Sequence, residues 1–315
     1  MSLTIFWQDL VRFLNESEFA VSHGFQVKRD PGIISVPLED CHPPSMAWMD
    51  YLKLMWEMTG QKWWHKAAPG PSIWRGDYPA VDGENVMTLV RMAHVEPSTW
   101  KAVIQRCKSA DISPHAALLA ALVLAWGQVW PGYDLETSTP VNARKFCEPA
   151  VPANCMGNYT GVYESTWSAD QCTQPFWSFA ETYHTNLQAN KANGVKKSGL
   201  LGFLTNYPQD YCQFWYDKRK QNEFGRTGGV ELSDLGRVTM NTKTTERWHV
   251  DKLWFCQSAQ TYTTALGVNS VTLDGHLYLT LCWHKGAVDP TKVDRFLQLM
   301  VNQLEQVASA TTTSE

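Results

Sequence analysis

No run of about eighteen apolar residues, the length a helix needs to cross a bilayer, occurs in the sequence, so no membrane span is expected. The segment Met1-Ser-Leu-Thr-Ile-Phe-Trp-Gln-Asp-Leu10 lacks a cationic start and a small-residue cleavage site, so no secretory leader is read there. The eight cysteines include no Cys-x-x-Cys pair and no His/Cys cluster. That pattern fits reduced, mostly buried thiols in a cytoplasmic protein, with no metal, better than it fits a zinc site or a disulfide framework. The Asn158-Tyr159-Thr160 sequon is then expected to be unused. Basic excess is missing too. A net charge of −4 with both signs scattered leaves no cationic stripe, which argues against nucleic acid as a partner. There is no internal repeat, and the only low-complexity tract is the Thr/Ser-rich tail from Ala308, expected to be disordered.

Tryptophan is what the chain has in quantity: 15 residues in 315. Several, including Trp56, Trp63, Trp64, Trp74, Trp130 and Trp215, fall in loop-like or polar contexts. Two readings stand side by side. Large aromatics dominate ordinary cores, and they also line wide cavities that hold hydrophobic small molecules.

Residues 251–284 organise the rest. Three segments rich in β-formers, separated by turn signals, read as an antiparallel meander. Asp274-Gly275 supplies the residues tolerant of positive φ that a tight hairpin needs. A helix follows over Pro290–Val307, with Asp289 as N-cap and Pro290 at the first helical position. Further back, Thr4–Asn15 reads as an amphipathic helix with Phe6, Leu10, Phe13 and Leu14 on one face. Residues 31–79 read as a long covering segment with one helical stretch, Met46–Met58. Strands are expected over Val86–Val95, Leu135–Val141, Met156–Val162 and Gly228–Thr239, the last interrupted at Leu235-Gly236. Helices are expected after Glu96 to Cys107, over His115–Trp130 and over Gln174–Ala189. Lys191–Asn222 shows no clear order.

Taken in order, these segments resemble the fungal alcohol acetyltransferases, in the superfamily of CoA-dependent acyltransferases with the plant BAHD enzymes and peptide-synthetase condensation domains. The resemblance rests on Ile112-Ser-Pro-His-Ala-Ala-Leu-Leu-Ala-Ala-Leu122, Thr139-Pro-Val-Asn-Ala-Arg144, Met156-Gly-Asn-Tyr159, Leu232-Ser-Asp-Leu-Gly236, and the closing strands and helix. It implies a chloramphenicol-acetyltransferase-like α/β fold, a mixed sheet flanked by helices, with two similar halves and a tunnel between them. In that family a His-His-x-x-x-Asp-Gly motif is followed by a helix of the type x-Ser-x-x-x-Phe-x-x-Asp-Leu-x-x-x-Leu-Asn. Ser2, Phe6, Asp9, Leu10, Leu14 and Asn15 match that helix, and the catalytic motif itself occurs nowhere in the chain. The resemblance therefore implies one truncated domain over 1–307, mainly the second half of the fold. Its apolar face would be covered by a homodimer partner or by the 31–79 segment.

Acyl transfer to an alcohol needs a base within reach of the hydroxyl proton. His249 and Asp251, read as two residues on one face of a strand, and His284 with Asp289 are the available pairs, each also explicable as surface or capping structure. His115, at a helix start, reads as a first-turn residue before it reads as a catalyst. Ser233 lies in a segment like the family's Ser-Asn-Leu-Gly, with Asp234 in place of Asn. The candidate catalytic residues are His249, His284, Ser233, Asn158 and Tyr159, which fall at strand ends or glycine breaks. The candidate substrate-binding residues are Arg144, Asn142, Trp254 and Trp283.

Three functions remain open. One is a repurposed apolar pocket templating a cyclisation or Diels–Alder-type cycloaddition of a polyketide or terpenoid, where orientation alone lowers the barrier and no cofactor is needed; it is the first expectation. Another is an acetyl-CoA-dependent O-acyltransferase whose base is supplied otherwise, and the last a non-catalytic remnant. The expected partner is a hydrophobic small molecule.

Overall fold

In a computed structural model, the structure describes residues 2–16, 36–38, 72–80, 87–198, 206–240, 246–260 and 262–312. Met46–Met58, most of the 31–79 segment, and Trp56, Trp63 and Trp64 lie outside the described residues. The elements are helix α1 (Ser2–Glu16), strand β1 (Thr88–Val95), α2 (Pro97–Ser109), α3 (Pro114–Val129), β2 (Leu135–Asn142), β3 (Thr160–Trp167), α4 (Phe176–Ser198), α5 (Gln209–Lys220), β4 (Gly228–Val238), β5 (Thr264–Leu273), β6 (His276–His284) and α6 (Pro290–Thr312). They build a mixed six-stranded sheet in the order β1-β6-β5-β4-β2-β3. The two central junctions, β5/β4 and β4/β2, are parallel and the outer ones antiparallel.

One face of the sheet carries the core. Helix α3 is buried from Ala116 to Trp126, as expected of a helix apolar on every side and enclosed between sheet and helices. Ser113 caps it, its hydroxyl accepting from the Ala116 N–H at 3.3 Å, and Pro114 opens its first turn. At Gly127 a Cβ would stand 2.7 Å from the Cys172 carbonyl oxygen, so only glycine lets the helix meet the 171–173 turn. Helix α6 packs beside α3 and α2, and α4 lies on β3. Period-2 alternation points Leu277, Leu279, Leu281 and Trp283 of β6 into this core. The β5–β6 hairpin turns at Asp274-Gly275, both at positive φ, 47° and 84°, the pairing a two-residue type I′ turn requires. Asp289 caps α6, accepting from the Thr291 N–H at 2.8 Å.

Asp77 ties the start of α6 to an aromatic cluster. Its carboxylate accepts from the Trp130 indole at 2.8 Å and the Asp289 N–H at 3.0 Å, and pairs with Lys292 at 3.2 Å. Trp74, Trp126, Trp130 and Phe296 pack around it, so Trp74 and Trp130 belong to the core rather than to a cavity.

Several expected elements differ. The meander has two strands, not three: residues 251–260 have no regular structure and cross the opposite face of the sheet. Trp254 packs on Tyr278 at 4.7 Å, and the Phe255 carbonyl accepts from the Thr280 hydroxyl at 2.7 Å. Their β-forming side chains are used for packing across β6, not for pairing. The glycine-punctuated strand starts at Thr160, leaving 156–159 as loop. Helix α5 occupies part of the stretch that showed no order, since its aromatic residues obscure the helical period. Helix α6 continues through Thr312, past the expected start of the tail, because Ala308 still packs on the core. On α1 it is Val11 that is buried, while Phe6 and Phe13 are exposed. No helix among the described residues is long and apolar enough to cross a membrane by itself.

Candidate active site

The face of the sheet away from the core holds a groove of about 1830 Å³. Alternation dictates its floor. Leu135, Thr137 and Thr139 of β2 and Val230 and Leu232 of β4 turn inward, so Glu136, Ser138, Glu231 and Ser233 turn to the groove. Antiparallel pairing with β3 adds Glu164 opposite Ser138, and parallel pairing with β4 sets Glu231 on the other side of Ser138. A row Glu164–Ser138–Glu231 thus crosses three strands. The walls are aromatic: Trp7 from α1, Tyr211 and Trp215 from one face of α5, and Trp254 and Phe255 from the crossing segment.

The carboxylates differ in their partners. Glu136 pairs with Arg75 at 2.9 Å; burial pushes its carboxyl up and the Arg75 charge pulls it partly back. Glu231 has no cation paired with it among the described residues. The Gln260 amide donates to its two oxygens at 3.3 and 3.4 Å. Burial raises its carboxyl above the usual range, and the hydrogen bonds from Gln260 and Ser138 recover only part of the shift. Ser233 follows on the same face, 7% exposed, and its hydroxyl has no hydrogen-bond partner among the described residues.

Of the residues singled out in the sequence, Asn142, Arg144, Asn158, Tyr159, Ser233 and Trp254 line this groove. Their chemistry is unequal. Arg144 donates to the carbonyls of Cys155 and Gly157 at 3.0 and 3.4 Å and lies over the Tyr159 ring, so it clamps the 155–159 loop. Asn142 accepts from the Arg144 N–H at 3.2 Å. The Tyr159 hydroxyl donates to the Val36 carbonyl at 2.6 Å, which commits it to holding structure. Asn158 is exposed on the loop.

The other three lie elsewhere. Trp283 is 1% exposed, on the core face of β6 beneath Arg91, because alternation from Leu277 turns it inward. His249 is exposed in irregular chain, so it and Asp251 do not share a strand face. His284 is buried at the end of β6; burial, then the charge of Arg226, push its ring below the usual histidine range. Asp289 is spent on capping α6.

A histidine–carboxylate pair does form, between His115 and Asp234. His115 Nδ1 lies 3.3 Å from Asp234 Oδ2 and its Nε2 lies 3.1 Å from the Tyr183 hydroxyl, which meets Thr139 Oγ1 at 3.0 Å. Asp234 Oδ1 accepts from Ser270 Oγ and the Gly236 N–H, both at 2.8 Å. Burial alone would raise the Asp234 carboxyl, but the His115, Gly236 and Ser270 hydrogen bonds outweigh it and hold it below the usual range. One ring nitrogen of His115 faces the partly exposed Asp234 carboxylate and the other the fully buried Tyr183. The network fastens α3 to the β4 bulge and has no nitrogen left for a substrate.

Comparisons with known proteins agree with this fold. The trichothecene 15-O-acetyltransferase of Fusarium sporotrichioides superposes with a TM-score of 0.71 at 12% identity, over 98% of this chain and 63% of that one. Polyketide synthase associated protein 5 from Mycobacterium tuberculosis gives 0.62 at 14% identity, over 98% of this chain and 70% of that one. The epimerization domain from the third module of tyrocidine synthetase B gives 0.61 at 12% identity, over 99% of this chain and 67% of that one. The chain thus spans about two thirds of the length of these structures, and at such identities the likeness is one of fold: the chloramphenicol-acetyltransferase-like α/β fold. No curated protein sequence is matched. The sequence model of the alcohol acetyltransferases, however, matches residues 79–304, most of the chain and nearly all of the sheet and helices just described, so the protein belongs to the alcohol acetyltransferase family.

Proposed function

We propose that the groove carries out O-acyl transfer: an acyl thioester, acetyl-CoA first among the candidates, gives its acyl group to the hydroxyl of an apolar small molecule. The observation that carries this reading is the groove itself, on an alcohol acetyltransferase scaffold. Its volume of about 1830 Å³ exceeds the roughly 300–1,000 Å³ of ordinary small-molecule sites, which suits a donor and an acceptor bound together. Aromatic walls favour an apolar acceptor, and a floor of hydroxyls and carboxylates suits a reaction that moves a proton. Lys218, on the groove side of α5, provides positive charge for a phosphate of the donor.

In this reading Ser233 and Asn158 are hydrogen-bond donors to the reacting carbonyl, Trp254 is a wall for the acceptor, and Arg144, Asn142 and Tyr159 hold the loop that carries Asn158. The chain itself supplies binding and orientation, and the thioester supplies the activated acyl group. A pocket for cyclisation alone would not need carboxylates on its floor, and neither the fold nor the comparisons favour that chemistry. The test is thermal: acetyl-CoA and CoA should each raise the melting temperature of the purified chain, because a ligand binding only the folded state stabilises it by mass action. No shift with either at millimolar concentration would contradict the proposal.

A further inference from the structure

Every cysteine among the described residues is free. Cys107 and Cys172 belong to the main core, and Cys147 packs in the cluster around Tyr159. Cys256 and Cys282 are placed differently. Cys256 is exposed on the segment that crosses the sheet and lines the groove. Cys282 is buried beneath that segment, on the groove face of β6, because alternation turns Leu281 and Trp283 to the core. We propose that Cys256 and Cys282 form an oxidisable dithiol, which a peroxide converts to a disulfide that pins the crossing wall of the groove to the sheet. The inference goes beyond the acyl-transfer reading and does not depend on it.

Three contacts set the path of the segment. The Trp254 indole donates to the Ala93 carbonyl at 3.2 Å, and Ala93 is paired with Leu279 of β6. The Thr280 hydroxyl donates to the Phe255 carbonyl at 2.7 Å. The Ala259 N–H donates to Thr88 Oγ1 at 2.9 Å, and Thr88 is paired with His284. Residues 254–259 therefore run alongside β6 from 279 to 284, in the same direction and one residue for one. The Thr280 contact holds the two backbones a single side chain apart. That register puts Cys256 within about one residue of Cys282 along the strand, and Cys282 is the next side chain after Thr280 on the covered face.

The Cys282 sulfur also has space beside it. Its partner across the β5–β6 ladder is Gly267, where a Cβ would stand 2.7 Å from the sulfur, so only glycine leaves room there. The contacts holding the sulfur are long ones: it accepts from the Asn269 amide at 3.7 Å and donates to the Gly267 carbonyl at 3.5 Å. Burial pushes the Cys282 thiol up to about 12, and the neighbouring Cys256 adds to the push, so the two sulfurs act on one another. Exposure then decides the order of events. A peroxide in the groove meets Cys256 first, and the buried Cys282 is the resolving thiol.

The chemistry balances. The Cys256 sulfur attacks a peroxide oxygen; an S–O bond forms, the O–O bond breaks, and the thiol's proton leaves with the departing oxygen as water. The Cys282 sulfur then attacks the Cys256 sulfenic acid. The S–S bond forms as the S–O bond breaks, and the Cys282 proton leaves with the hydroxide as a second water. Two thiols are oxidised by two electrons and one hydrogen peroxide is reduced. Trp254 and Phe255, which wall the groove, and Gln260, which holds Glu231, all lie on the segment that the bond fixes.

The test treats the purified full chain with hydrogen peroxide and maps its cysteines by mass spectrometry without reduction. A peptide pair joined through Cys256 and Cys282, lost on adding dithiothreitol, is the expected product. Oxidation should raise the melting temperature by at least about 2 °C, because the bond restricts the unfolded chain. It should also slow amide hydrogen exchange over residues 251–260 about tenfold or more. Cys256→Ser, an exposed change that leaves the fold intact, should abolish the cross-link and both effects. Cys212→Ser should oxidise as the wild type does. Cys256 that proceeds to sulfinic acid, or that joins Cys212 or a second copy while Cys282 stays a free thiol, would overturn the proposal. A Cys256–Cys282 bond that leaves exchange over 251–260 unchanged would overturn the pinning of the wall.

Discussion

His115 Nδ1 lies 3.3 Å from Asp234 Oδ2, joining the first turn of α3 to the bulge of β4 across 119 positions of sequence. Asp234 stands where the family-like segment has asparagine, and the structure gives that change its partner. An asparagine offers a neutral amide there, whereas the carboxylate accepts from His115, Ser270 and the Gly236 N–H together.

The pair makes stability depend on acid. The folded state holds the Asp234 carboxyl below its usual range, so its contribution is present above about pH 4, near the unfolded value, and is lost as pH falls through the folded one. Asp234→Asn should cost about 1–3 kcal/mol at neutral pH. It should also flatten the acid limb of melting temperature against pH, measured by calorimetry from pH 7 to pH 3.

Asp77 is expected to matter more than its ion pair does. Removing it orphans the Trp130 indole and the Asp289 N–H together, while Lys292 is half exposed. Asp77→Ala should therefore lose about 2–3 kcal/mol in urea unfolding. Lys292→Ala should lose less than about 1 kcal/mol.

Two tryptophans singled out together in the sequence should separate in experiment. Trp283 fills the core, and Trp283→Ala should cost about 3–5 kcal/mol of stability. Trp254 walls the groove and is half buried, so Trp254→Ala should fold and raise the KM for the alcohol in steady-state kinetics.

Ser233→Ala deletes a hydroxyl without a protein partner among the described residues, so stability should change by less than about 1 kcal/mol. If the hydroxyl meets the oxyanion, kcat should fall about 100-fold with KM unchanged. Single-turnover thiol release would measure it.

Much of this fold could be read from residues alone. Asp274-Gly275 fixed the hairpin and Asp289-Pro290 the start of α6, because turn and cap chemistry is local. Ser233 and Asn158 could be marked for the same reason, by their strand and glycine context. The alternation of Glu136 and Ser138 against Leu135 and Thr137, and of Glu231 and Ser233 against Val230 and Leu232, already held the polar floor. What it could not tell was that β2 and β4 are neighbours, a pairing between strands more than 85 residues apart. His115–Asp234 was hidden in the same way. Residues 251–260 misled because Leu253, Trp254 and Phe255 pack across a sheet as readily as they pair within one.

The most direct test of the account is transfer itself: acetyl-CoA labelled in its acetyl group, a panel of apolar alcohols, the purified chain, and mass spectrometry of the products. Acyl transfer in the groove predicts labelled acetate ester and free CoA in equal amounts, dependent on the chain. Acetyl-CoA that binds, shown by its melting shift, yet yields no ester with any alcohol would contradict it.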